Sequence, residues 1–564
     1  MNPANNVTDR INLVYEDHKQ QQVELPLRLL VMSDLSGDSR SQDMGLCELV
    51  TVENGINQLM GAMDISLSLS LPNQLNPDSD DAVDLDIAFY GVDDFEPENL
   101  LMAAPYLAQA YQLYRQLGDE SVRTHHLIES LADYGLNTQV DLDYTQRLVL
   151  QQELHERINS QLNLIVQHEK FRALESSWRS LSFLETFIDY KENIELIIAN
   201  VSKQALIEDF EDSPDVTQSR LFDLVYAAEF GQFGGRPYTL MIGDYEFTNR
   251  AQDIALLTSI SKISAMSHCP FMSAASGHLF GVDNFSDFSR IRDISAHFDQ
   301  PNYAKWNSFR ENQDSRYVCL TLPRFILRSS YRLSGEGFEF IESAAKDKIG
   351  LWGNSAFALA TRFINSFSQY RWFVNVTGEE YGLLDEIRMH PSQTQLGTLI
   401  PTEVLISERS TNELINNGFT PLSIHKRTGR AGFTAIPSCH AMVFNEQDKH
   451  ALLNQKLVTQ IPYLLISCRF SQYIKVMQRE NIGSWLTRSQ IDQSINRWLK
   501  QYVSDMDNPA PAVRSRRPLR NASIIVRDME DKAGWFLSTI SITPHFKFMG
   551  QSFTLTERGR LEKA

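Results

Sequence analysis

Short runs alternating apolar with polar residues lie near both ends of the chain, and runs with a three-to-four-residue apolar period dominate between them. RINLVYE places Ile11, Leu13 and Tyr15 on one side and Asn12, Val14 and Glu16 on the other, as a half-buried strand does. The LRLLVM core of the next segment is apolar on both sides and predicts a buried strand. DISLSLSL (64–71) and VDLDIAFY (83–90) alternate around a turn-rich PNQLNPDSDDA, the pattern of an antiparallel hairpin. Pro97 opens a helix running to about Leu117, and residues 118–144 lack a strong period, which predicts a linker with one helical turn. From Thr145 to Phe187 the period is helical. Strands are then expected at 192–203, 270–276, 318–325, near 372–376, at 401–407 and at PLSIH. Helices are expected at 217–230, 251–267, 351–369, 408–419, 447–482 and 488–503. The tail carries two more strands, ASIIVRD and GWFLSTISITPHFKF, and Ile540 and Ile542, two apart, share a face. This order predicts an α/β chain in the broad, mixed α+β sense, with mixed sheets flanked by helices and end strands whose edges are open to pairing.

The stretch from Tyr226 to Phe247 reads as a helix end, a glycine turn and a buried strand. Phe230 closes the helical run, Phe233 sits within the turn, and Gly231, Gly234 and Gly235 are expected where a Cβ would hinder. Gly243, Asp244 and Tyr245 follow at the end of the strand run. A phosphate loop would need G-x-x-x-x-G-K-[ST], and a dinucleotide fingerprint would place its glycines between strand and helix; here they lie between helix and strand. The turn is read as packing.

At 564 residues there is room for two to four domains. A net charge of −19 disfavours nucleic acid and anionic lipid as partners. The five scattered cysteines, Cys47, Cys269, Cys319, Cys439 and Cys468, form no C-x-x-C pair, so no metal site is expected and a reduced, cytoplasmic setting fits. MNPANNVTDR is no signal peptide, and no apolar run reaches the roughly 20 residues that span a bilayer, so no membrane role is expected.

Candidate chemistry is sparse. His268–Cys269 is the best nucleophile pair, but a base adjacent in sequence seldom sits correctly beside its thiol. Asp244 and Glu246 lie two apart, so they could share a strand face as paired acids, although a solvated or Arg-paired rim explains them as well. His125 and His126 point apart on a helix, and RSRR (514–517) reads as a protein-contact or linker feature. No catalytic residue, cofactor or metal is therefore expected, and the chain is not read as an enzyme.

Two sets of blocks resemble the contractile sheath of the type VI secretion system. RINLVYE, VELPLRLLVMSDLSG and DIAFYGVDDFEPENLL resemble the small subunit, TssB or VipA. HEKFRALESSWRSL, EFGQFGGRPYTLMIGDYEF, ISAMSHCPFMSAAS, ENQDSRYVCLTLPRF, PTEVLISERSTNELINNGFTPL, IPYLLISCRFSQYIKVMQRENIGSW and TPHFKFMGQSFTL follow in the order of the large subunit, TssC or VipB. The resemblance implies a TssB-like domain at 1–117, a linker at 118–144 and a TssC-like region at 145–564. Within that region a middle α/β part covers about 190–440, and C-terminal helices with a hairpin cover about 447–564. It implies a cytoplasmic structural protomer, in a bacterium of the Gram-negative type, that polymerises around an Hcp tube, docks on baseplate components and contracts. Neighbours would exchange terminal strands through Ile11, Leu13, Tyr15, Ile524, Val526, Ile540 and Ile542. Recognition by the ClpV unfoldase is in doubt, because the region that carries it in the family is shortened or replaced by the linker, and VTGEEYGLLDEI (376–387) departs from the family's glycine-rich stretch. A non-contractile scaffold or cap is the alternative.

Overall fold

The computed structural model describes residues 10, 13–16, 21–37, 49–52, 55–77, 82–119, 122, 124–136, 142–291, 293–335, 338–343, 350–373, 376–384, 387–391, 399–425, 429–441, 459–480, 488–504, 506, 517, 519–528, 536–544 and 555–561. Its centre is an eight-stranded mixed sheet. The strands run in the order Ala431–Phe433, Phe419–Ile424, Val318–Leu322, Phe271–Ala275, Leu240–Phe247, Leu27–Ser33, Ile194–Asn200 and Leu49–Thr51. The inner six are parallel, and a three-residue antiparallel strand closes each edge, leaving little open ladder there.

Strand 27–33 comes from the first part of the chain yet lies inside a sheet built mostly from later residues. It pairs in register with both neighbours, Leu29 standing opposite Leu196 on one side and Leu240 on the other. All seven of its residues are buried, which explains why the sequence is apolar on both faces. Leu27, Leu29 and Val31 pack into the layer holding the helices Glu169–Glu185 and Ser355–Tyr370, whereas Leu30 and Met32 face the layer of helix Ala251–Ser267. On the neighbouring strand 240–247, an added Cβ at Gly243 would lie 2.6 Å from the Phe271 ring. Gly243→Ala is therefore expected to cost about 1–3 kcal/mol, read as a lower urea midpoint.

The expected hairpin is present as Ile65–Pro72 and Ala82–Phe89, with Ile65, Leu67, Leu69, Leu71, Leu85, Ile87 and Phe89 buried. The helix expected from Pro97 is broken by a second proline into Pro97–Ala103 and Pro105–Gly118. The 118–144 stretch carries more than one helical turn, with Thr124–Ala132 helical and Leu127 and Leu131 buried. Helix 145–187 is two helices, Tyr144–Val166 and Glu169–Glu185, the second capped by His168. Residues 351–369 divide into strand Leu351–Gly353 and helix Ser355–Tyr370 at the Asn354 cap. The strand expected near 372–376 is absent from its described part, which bends after Arg371 takes a left-handed conformation (φ 58°). PTEVLIS forms no strand beyond an isolated antiparallel bridge of Thr402 with Phe325, and Thr402 Oγ1 donates to the Val404 carbonyl at 2.9 Å, a local bond that competes with a longer ladder. Of the residues expected as a helix at 447–482, 459–480 are described; Ile461–Glu480 is helical, whereas Gln460 instead bridges Pro437. The tail has a third strand, Leu555–Leu561, besides Leu519–Asp528 and Phe536–Pro544.

A buried ionic network joins the parts. Glu175, fully buried, accepts from Arg328 at 2.6 and 2.8 Å, from Arg179 at 2.7 Å and from the Tyr331 hydroxyl at 2.5 Å. Arg328 also bonds Glu342 at 2.8 Å, while Arg179 reaches Glu96 at 2.9 Å and the Tyr331 hydroxyl touches the Phe95 carbonyl. Burial alone would raise the Glu175 pKa, but Arg328 and Arg179 hold it below the usual carboxylate value.

Candidate intersubunit strand module

The Tyr226–Phe247 stretch forms the turn expected of it, but its strand does not end at Gly243 and Asp244; it runs through both, from Leu240 to Phe247. Helix Ala228–Gly231 ends it on one side, and Gly234 has φ +81°. At Gly235 a Cβ would lie 2.5 Å from the Glu229 carbonyl oxygen, so glycine is required there. Gly231 differs from the expectation: it has open space and no positive φ, so its place is not dictated by sterics. Phe233 is 69% exposed at the tip, outside the core, whereas Phe230 lies against Tyr226 with the Lys475 ammonium 5.1 Å from its ring.

The turn is a clamp for two arginines. Arg28, on strand 27–33, lies 2.8 Å from Glu229 and 3.0 Å from Glu195, over the Tyr238 ring. Arg479 donates to the Glu229 and Gly235 carbonyls at 2.7 and 2.8 Å. Charges already matched in this way leave Arg28 bound to protein carboxylates rather than to an anion. Asp244 accepts from Ser33 at 2.9 Å and Ser177 at 2.7 Å, and burial raises its pKa. Glu246 instead faces Arg324 at 3.5 Å, so the two acids serve different partners. Tyr245 donates to the Val201 carbonyl at 2.7 Å. His268 is the left-handed cap of helix 251–267, and burial pushes the Cys269 thiol well up, the opposite of nucleophile activation. Among the described residues no group of three or more His, Cys, Asp or Glu is placed to hold a metal. The side chains of His125 and His126 and residues 514–516 lie outside the described residues.

The strand candidates from the two ends of the chain meet in one apolar cluster. Leu13, Tyr15, Ile524, Ile540 and Ile542 pack there with Phe470, Tyr473, Trp498, Leu499 and Tyr502. Ile524 stands directly opposite Ile540, and Ala522 opposite Ile542, while Ile525, 51% exposed, takes the other face. Val526 pairs with Ser538 through the backbone; its side chain, and all of Ile11, lie outside the described residues. In this chain the candidate strands pair with one another's neighbours in the same polypeptide: Tyr15–Glu16 with Gln22–Val23, and 536–544 between 519–528 and 555–561.

The N-terminal segment is held by aromatic tips that sequence reasoning missed. Tyr473 donates to the Leu13 carbonyl at 2.6 Å and accepts from the Leu25 amide at 2.9 Å. Trp498 Nε1 donates to the Val14 carbonyl at 2.7 Å, and the Val14 amide donates to the Tyr502 hydroxyl at 3.1 Å. Trp498 and Tyr502, four apart, were the available signal: amphipathic aromatics sharing a face beside a terminal strand. Helix 461–480 links this module to the glycine turn, since Gln472 donates to the Tyr238 and His268 carbonyls at 2.7 and 2.9 Å and Arg469 to the Leu25 carbonyl.

Among the described residues no helix is long and apolar enough to cross a membrane. Three family models match the chain. Residues 4–125 match the model described as type VI secretion system, VipA, VC_A0107 or Hcp2. Residues 149–440 match the EvpB/VC_A0108 tail sheath N-terminal domain, and residues 450–561 its gpW/gp25-like domain. The type VI secretion system sheath protein TssC1 of Pseudomonas aeruginosa is 34% identical over 423 residues, covering 73% of this chain and 85% of that protein. Two solved structures are more distant. The anti-feeding prophage baseplate gives a TM-score of 0.33 at 8% identity, over 68% of this chain and 78% of the other. The sheath tail protein Lin1278 of Listeria innocua gives 0.29 at 11%, over 59% of each. With VipA-type and VipB-type sequence in one polypeptide, and a family that is structural rather than enzymatic, the chain belongs to the type VI secretion sheath proteins as a TssB–TssC fusion.

Proposed function

We propose that the chain is a structural protomer of a contractile sheath, polymerising around an Hcp tube by exchange of its terminal strands. The observation that carries this is the meeting of both ends of the chain in one module, where short strands are held by side-chain tips and a three-stranded antiparallel sheet. Such a module trades its strand for an identical one from a neighbour at little net cost, because the same bonds reform between chains. Ile11, Leu13, Tyr15, Ile524, Val526, Ile540 and Ile542 are the residues assigned to that exchange. The ladder persists while the bodies it connects rotate, which is what contraction of a stored, extended packing requires. Within this reading residues 1–117 are the small-subunit domain, 118–144 the linker and 145–564 the large-subunit region. The assembly works in the cytoplasm on a baseplate, and ClpV handling depends on what the linker presents. A non-contractile scaffold or cap is the second reading, favoured by the pairing of every described candidate strand within its own chain.

Negative-stain electron microscopy of the chain with Hcp tests the proposal, alongside a version lacking residues 1–16. The expected result is long tubes from the full chain and discrete, folded particles from the shortened one. Discrete particles from both would sink polymerisation by exchange and favour the scaffold; tubes from both would remove the N-terminal strand from the joint.

A further inference from the structure

An edge strand directs the amide and carbonyl of every second residue outward, a template on which any extended chain can add. The outer edge of strand 519–528 is filled at two places. At one end the Leu519 amide donates to the Tyr502 carbonyl at 3.1 Å, and the Ser504 amide donates to the Leu519 carbonyl at 2.8 Å. In the middle a side chain does what a strand would do. Asn496 Oδ1 accepts from the Ile524 amide at 3.1 Å, and Asn496 Nδ2 donates to the Ile524 carbonyl at 3.0 Å.

A carboxamide is the side-chain analogue of a peptide unit, one acceptor and one donor in a plane, so it satisfies both backbone groups of one residue at once. Asn496 is held in this position by its own helix, Arg488–Lys500. There Nδ2 also donates to the Asp492 carbonyl at 2.9 Å, and the buried Ile495, Trp498 and Leu499 seat the helix. We propose that Asn496 is an edge lock, its carboxamide occupying the hydrogen-bonding position of a strand from a second copy of this chain and preventing addition along strand 519–528. The second copy is the occupant because this chain's own terminal strands share the cluster with Ile524, and an identical chain brings an identical strand to it. Only the identity of that occupant rests on the exchange reading; the lock is a property of the isolated chain.

The test uses the full chain and two variants, Asn496→Leu and Asn496→Asp, followed by hydrogen exchange at the Ile524 amide and by sedimentation velocity across a concentration series. Leucine removes both bonds while keeping the same branched heavy-atom skeleton. Aspartate keeps the acceptor for the amide and sets a carboxylate against the Ile524 carbonyl. In Asn496→Leu the Ile524 amide is expected to exchange at least tenfold faster and association to appear at a concentration at least tenfold below that of the unaltered chain. In Asn496→Asp the amide stays protected while association still rises. An Asn496→Leu chain with faster exchange and unchanged association would overturn the lock, as would unchanged exchange. Should Asn496→Leu lose its fold by circular dichroism, unchanged association of folded Asn496→Asp would overturn it equally. Absence of tubes in the Hcp experiment would remove the exchange reading and leave these readouts intact.

Discussion

Divided between residues 136 and 142 and produced as two polypeptides, the chain is expected to be soluble only when both pieces are made together, and then to purify as a one-to-one pair. The reason is the position of strand 27–33, paired along its whole length with Ile194–Asn200 on one side and through Leu29–Met32 with strand 240–247 on the other. Removing it leaves Ile194–Asn200 and Leu240–Phe247 as two long apolar edges facing a gap. It also exposes the surfaces that cover Leu27, Leu29, Leu30, Val31 and Met32, a loss on the order of 10 kcal/mol. That equals or exceeds the whole stability of an ordinary domain. Edges of this kind aggregate. A soluble 142–564 piece with the circular dichroism of the intact chain would show that the sheet tolerates the gap and would overturn the expectation. In the covalent fusion the second piece never waits for the first, since the tether keeps the strand at high local concentration.

The second large effect is expected at Arg328. Arg328→Met leaves Glu175 and Glu342 buried without their shared cation, and removal of one partner from such a network costs about 3–5 kcal/mol. Adding Glu175→Gln to Arg328→Met should recover part of the loss, because the second change removes one of the stranded charges. Urea denaturation of the single and double variants reads both effects. A single variant within about 1 kcal/mol of the unaltered chain would mean that Arg179 and Arg172 suffice, which their placement at 2.7 Å from Glu175 and 3.4 Å from Glu342 makes a fair contest. Loss of the network is further expected to loosen the Glu96 region, where Arg179 and Tyr331 reach across to the first part of the chain.

Much of this architecture was legible because the relevant signals are local. LRLLVM is apolar on both sides and is buried on both; DISLSLSL alternates and so does its burial. What pairing pattern alone could not give is where strand 27–33 inserts, since strand order depends on partners more than 150 residues away. PTEVLIS looks like a strand, but its pairing stops at a single antiparallel bridge between Thr402 and Phe325, beyond which the Thr402 hydroxyl bonds the chain's own backbone two residues on. TERGR hid the third tail strand behind charges. In the candidate site, Ile540 and Ile542 declared themselves by spacing. Tyr473, Trp498, Tyr502 and Asn496 did not, because their roles lie in where their polar tips land, and that is set by the packing of two helices.

Helix 461–480 also fixes how the molecule carries a load. A pull on the terminal strands enters the helix at Tyr473 and leaves it through Arg469, Gln472 and Arg479, whose bonds reach Leu25, Tyr238, His268, Glu229 and Gly235. These attachments are spread over three turns of one stiff rod and are stressed together in shear, so none can be unzipped before the others. If the terminal strands are the joints proposed above, tension on them is delivered to the segments that lead into strands 27–33 and 240–247 in the middle of the sheet, and the protomer then moves as a lever rather than stretching as a spring.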